Sequence, residues 1–169
     1  ITKLKEDVQH WPLESIMMQT VHPQLSHPVG MVRARAVHLM AAFIKHIEWS
    51  SPENFQKVTQ AVIPLLRDEK LPVKIQTCVN LKQFVKHEFA RPVVEPVVAE
   101  IIQEYFTIMK LIDNEGVVRT LRKMIKFYGD TLAQWAVQLC VMLVEHFTRL
   151  HQSILRRSTD FENDAEGED

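Results

Sequence analysis

One local pattern occurs three times in this chain, and its spacing restricts the fold more than any other feature. The first copy reads Leu25-Ser-His-Pro-Val-Gly-Met-Val32-Arg33 and leads into a helical run ending Phe43-Ile44-Lys45-His46. The second reads Leu66-Arg-Asp-Glu-Lys-Leu-Pro-Val73-Lys74 and ends Phe84-Val85-Lys86-His87. The third, looser copy reads Ile112-Asp-Asn-Glu-Gly-Val-Val118-Arg119 and ends near Tyr128. Arg33, Lys74 and Arg119 therefore fall 41 and then 45 positions apart. A period of that length with two helices per unit is the mark of a HEAT or armadillo solenoid, in which each pair buries its remaining apolar faces on its neighbours. The expected fold is an all-α HEAT-repeat solenoid of about three helix pairs plus one extra helix.

Helix start and stop signals set the boundaries. Each repeat consists of a first helix, A, and a second, B, over residues 12–47, 52–87 and 92–128, followed by a lone helix over 131–157. Ser50-Ser51-Pro52-Glu53 supplies a hydroxyl cap, a first-turn proline and an early acid. Pro64 is expected to bend or shorten its helix, and Pro96 competes with Pro92 as a first turn. The apolar positions Val73, Thr77, Leu81 and Phe84 match Val32, Ala36, Met40 and Phe43 of the first copy, so those faces, together with Leu39, are expected inside. Residues 158–169 carry Asp160, Glu162, Asp164, Glu166, Glu168 and Asp169 with no base, and this acidic stretch reads as a disordered tail. Ile1 at the start and an unpartnered last helix suggest a segment of a longer protein.

Several chemistries find no support. The net charge of −1 speaks against a dedicated nucleic-acid binder. No apolar run reaches the length of a membrane span, and Cys78 and Cys140 are isolated in apolar surroundings, as buried free thiols are. The eight histidines form no HExxH and no pair at ligand spacing, and His46 and His87 sit where an imidazolium would suit a helix C-terminus. No glycine-rich phosphate loop or nucleophile elbow occurs, so no catalytic residue, metal or cofactor is assigned.

Three sets of charged residues remain. Asp68 and Asp113 precede B helices and can cap them and meet a base of a neighbouring repeat, Arg33, Lys74 or Arg119, as a scaffold between repeats. Bases gather on the B helices, which line the concave side of a right-handed stack; Arg35, Lys82, Arg122 and Lys126 are the candidate surface there. Those bases either meet acidic partners or keep the helices solvated. The acidic residues of the tail are the candidate contact for a basic partner through long-range attraction.

Gly30-Met-Val-Arg-Ala-Arg-Ala36 is similar to a Gly-Tyr-Met-Arg-Ala-Arg-Ala pattern, and Arg67-Asp-Glu-Lys-Leu-Pro-Val-Lys-Ile75 to an Asp-Asp-Arg-Glu-Met-Pro-Val-Lys-Val pattern one repeat later. Arg91-Pro92-Val93, Lys123-Met124-Ile125 and the acidic stretch agree in order and spacing. On these residues the chain resembles the importin-β superfamily, in its importin seven and eight branch, along about residues 12–169. The first copy departs from the pattern, with Ser26-His27 where the second has an aspartate. The resemblance implies a segment of a nuclear import receptor, shuttling between nucleus and cytoplasm. Its implied partners are basic cargo such as ribosomal proteins or histones, the GTPase Ran through regions outside this segment, and Phe-Gly nucleoporins in grooves between A helices. A scaffold subunit with HEAT repeats and an export receptor are the alternatives.

Overall fold

The computed structural model describes residues 11–112 and 114–166, with side chains as far as residue 155 apart from those at 150 and 153. Every regular element among the described residues is helical, and the fold is an all-α HEAT-repeat segment. Two compact units are present, Ile1–Leu132 and Ala133–Asp169.

In the first unit, α1 (Leu13–Ile16) continues as a π turn (Met17–Val21) and a 3₁₀ stretch (His22–Ser26), then α2 spans Gly30–Phe43. Helix α3 (Pro52–Val62) runs on as a 3₁₀ stretch (Ile63–Arg67), and α4 spans Leu71–Phe84. The third pair opens with α5 (Arg91–Val94), passes through a 3₁₀ turn (Glu95–Val97) into α6 (Val98–Met109), and is completed by α7 (Glu115–Phe127). The short α8 (Gly129–Leu132) closes the unit. Pro23, Pro64, Pro92 and Pro96 each occupy the second residue of a helical stretch. A proline there needs no amide hydrogen, and it clashes with the helical turn before it, so the A runs change pitch at these points.

The B helices form one layer, with α2 packed along α4 and α4 along α7; the A runs form the other. On α4 the expected face is realised, since Val73, Thr77, Leu81 and Phe84 are all inaccessible to solvent. On α2 it is realised only in part. Ala36 and Met40 are buried as expected, but Ala34, Val37, Ala41 and Ile44 are buried with them, while Val32 and Phe43 are half-buried and Leu39 is 41% exposed. Arg33 stands on the same side, at i−4 from Val37, and its guanidinium reaches inward to Asp68. Hydroxyls tie α4 to the third pair: Tyr105 donates to the carbonyl of Cys78 at 2.6 Å, Tyr128 to that of Val85 at 3.1 Å and Thr120 to that of Val79 at 3.3 Å.

The second unit consists of a 3₁₀ turn (Ala133–Trp135) and α9 (Ala136–Glu166). This corrects the expected boundary at Arg157: Asp160, Glu162, Asp164 and Glu166 belong to a helix rather than to a disordered tail, and Glu168 and Asp169 lie outside the described residues. No glycine or proline occurs between residues 130 and 166, so nothing in that sequence stops the helix. Cys140 is exposed, contrary to expectation, while Cys78 is buried and its thiol pKa is pushed up by desolvation.

Candidate protein-docking faces

The repeats are joined at their loops before they offer any surface. At each B-helix start a side chain accepts a hydrogen bond from the amide two residues on: His27 Nδ1 from Val29 at 3.0 Å, Asp68 Oδ1 from Lys70 at 2.8 Å, Asn114 Oδ1 from Gly116 at 2.9 Å. Histidine thus replaces the aspartate of the second copy in this local turn, because an unprotonated ring nitrogen accepts as an Asx oxygen does. Asn114 also accepts from Val117 and is the N-cap of α7; Asp113 lies outside the described residues.

Asp68 does more than close its turn. Arg33 Nε and Nη2 reach across from α2 to its two oxygens at 2.7 and 2.8 Å, a bidentate pair whose side chains are 11% and 5% exposed. Arg33 Nη1 donates to the carbonyls of His27 and Pro28 at 2.7 and 3.0 Å, so one guanidinium satisfies its own loop and the next repeat's aspartate together. The hydrogen bond from Arg33 holds the Asp68 carboxyl below its ordinary pKa, with a smaller contribution from the charge of Lys74. Arg119, by contrast, donates to Glu115 one turn back on its own helix. Of the residues read as scaffold, then, the structure brings together Arg33 and Asp68, with Lys74 close enough to act on that carboxylate.

His87 has a different place from the one its position suggested. It stacks on Phe55 with ring centroids 4.4 Å apart, and its Nδ1 accepts from the Phe89 amide at 3.3 Å. This ring caps the turn that follows α4 and packs on Phe55. No three His, Cys, Asp or Glu side chains come together to hold a metal ion among the described residues.

Two outward faces are candidates for receiving another protein. On the B layer, Arg35, Arg122 and Lys126 are exposed and Lys82 is half-buried. The four bases of α7, Arg119, Arg122, Lys123 and Lys126, fall within about 100° of arc opposite its buried Val117, Leu121 and Met124. On the A layer a groove of about 300 Å³ separates the end of the second A run from the third. Ile63, Pro64, Leu66, Val97 and Ile101 line it. Arg67 crosses it to pair with Glu104 at 2.7 Å and Glu100 at 3.2 Å. Sequence reasoning missed this bridge. Its available signal was the pair of acids one turn apart on α6, which share a helix face.

The fold, with its two layers of paired helices, defines a segment of the helical-repeat class. No protein-family model matches the chain, and no solved structure matches it. Curated proteins do. An importin beta-like SAD2 homolog of Arabidopsis thaliana is 30% identical over 137 residues, 81% of this chain and 13% of that protein. A probable importin-7 homolog of Dictyostelium discoideum is 28% identical over 82% of this chain, and human importin-8 is 27% identical over 89%. The chain belongs to the importin-β family and spans 13% to 15% of the length of these relatives.

Proposed function

We propose that the chain is a segment of a nuclear import receptor, which binds cargo, carries it through the nuclear pore under the control of Ran and shuttles between nucleus and cytoplasm. It acts by binding and not by catalysis. The similarity to importins along more than four fifths of the chain is the observation that supports this reading. Two features of the molecule fit it. The acids Asp160, Glu162, Asp164, Glu166, Glu168 and Asp169 are suited to attract basic cargo such as a histone tail or a ribosomal protein over distances set by ionic strength. The groove beside Ile63, Pro64 and Val97 is apolar and concave, as a phenylalanine of a Phe-Gly nucleoporin requires. Ran would bind mainly through parts of the receptor beyond this segment.

The test is the affinity of the chain for a histone tail at low and moderate salt. It is compared with a variant in which the six acids are replaced by asparagine and glutamine. Loss of a salt-sensitive affinity supports the reading. Equal binding by both proteins, or by neither, removes the acidic segment as a cargo contact.

A further inference from the structure

The contact between α4 and α7 gathers bases without acids. Val79, Lys82 and Lys86 stand at i, i+3 and i+7, one stripe of α4 and the turn that follows it. Gly116, Thr120 and Lys123 form the facing stripe of α7. Two bonds fix the register, Thr120 to the Val79 carbonyl at one end and Tyr128 to the Val85 carbonyl at the other. Lys123 lies between them, opposite Lys82 and Lys86, with Arg119 one turn before it. Lys82 and Lys123 are half-buried, and Lys86 is exposed. Among the described residues no carboxylate pairs with Lys82, Lys86 or Lys123, although Arg119 has Glu115. The Lys86 ammonium pulls Lys123 below the ordinary lysine pKa, helped by burial and by the charges of Lys82 and Arg119. Like charges held together in a partly desolvated place raise the energy of the free protein, and an anion set among them lowers it.

We propose that Lys82, Lys86, Arg122, Lys123 and Lys126 form a docking patch for a short acidic peptide segment of a partner protein. The patch is bordered by acids: Glu88 follows Lys86, Glu115 precedes Arg119, and Asp130 follows α7. Those acids limit the favourable stretch to a few carboxylates and would repel the continuing backbone of a nucleic acid, as the chain's net charge of −1 also would. Phe127 and Val118, 42% and 45% exposed, flank the basic arc of α7 and offer apolar contact to the neighbouring residues of a peptide. This patch is independent of the cargo reading, since it selects a partner of the opposite charge.

The test is fluorescence anisotropy of a labelled decamer of glutamate titrated with the full chain at low and moderate salt. The double charge reversal Lys82→Glu with Lys123→Glu is expected to weaken binding at least tenfold. Lys57→Glu, on the A layer, is expected to change it less than twofold. Circular dichroism and thermal melting check that each variant is folded, and Lys82→Gln with Lys123→Gln serves in place of the reversal should that fail to fold. Equal affinity for the patch variant and the unaltered chain overturns the proposal. So does tighter binding of a ten-nucleotide oligothymidylate than of the peptide, with the loss on mutation shared by both.

Discussion

The α2–α4 and α4–α7 contacts join equivalent helices in the same layer, yet they are held by different means. The first is stapled by a nearly buried bidentate pair, Arg33 with Asp68, whose guanidinium also satisfies two loop carbonyls. The second has neutral hydroxyls on helix carbonyls, from Thr120 and Tyr128, and leaves its lysines facing one another. Close approach is common to both. A Cβ added at Gly30 would stand 2.8 Å from Lys70 Cγ, and one at Gly116 would stand 3.1 Å from Val79 Cγ2. The comparison teaches that a solenoid needs tight stacking at every step but charge pairing at only some. A step whose polar needs are met by uncharged groups is free to keep unneutralised charge for another molecule.

The largest expected effect comes from breaking the staple. Asp68→Ala leaves the Arg33 guanidinium enclosed without its carboxylate and is expected to lower the melting temperature by roughly 5–10 °C. The same pair has a pH signature. Because the folded pKa of Asp68 is depressed, its contribution is complete above the unfolded value of about 4 and is lost as pH falls through the lower folded value. The difference in melting temperature between the unaltered chain and Asp68→Asn should therefore close below about pH 4. A gap that persists well below that would mean that the pair is not the source.

Between α4 and the A run of the third pair, Tyr105→Phe removes a buried hydroxyl bond to the Cys78 carbonyl and is expected to cost about 1 kcal/mol in denaturant unfolding. The carbonyl lies within α4, which limits the loss. Smaller and of opposite sign is Lys86→Gln, which relieves repulsion on Lys123. It should raise the melting temperature by about 1–2 °C at low salt and by nothing measurable near 1 M salt. A decrease at low salt would show that the lysines are not in conflict. The smallest effect is expected on the A layer, where Arg67→Gln removes an exposed bridge and should shift melting by less than about 1 °C.

Much of this architecture is legible in the chain itself. The three copies, the prolines at helix starts and the face of α4 follow from spacing and local propensity, because a helix's periodicity is written in every turn. What escaped was set by partners far along the chain. Leu39 has the right spacing for the core, but the face of α2 that carries Val37 and Arg33 packs inward, Arg33 onto Asp68 35 residues away, and Leu39 stays exposed. His87 occupies a helix-end position, but its ring is held by Phe55 and the Phe89 amide. The end of α9 differs for another reason: an acidic stretch reads as disorder, yet without a glycine or proline nothing local stops the helix before Glu166.

For the candidate surfaces the division is sharper. The sequence alone determined that bases lie on B helices and that Asp68 and Arg33 belong to repeating positions, since those follow from a period and a helical wheel. Only the tertiary structure decided which bases meet an acid and which meet each other. It set Arg33 on Asp68, placed Lys123 opposite Lys82 and Lys86, and opened the groove beneath Arg67. The physical reason is range: periodicity orders residues a few positions apart, whereas charge and groove geometry depend on distances between helices that stack only in the folded chain.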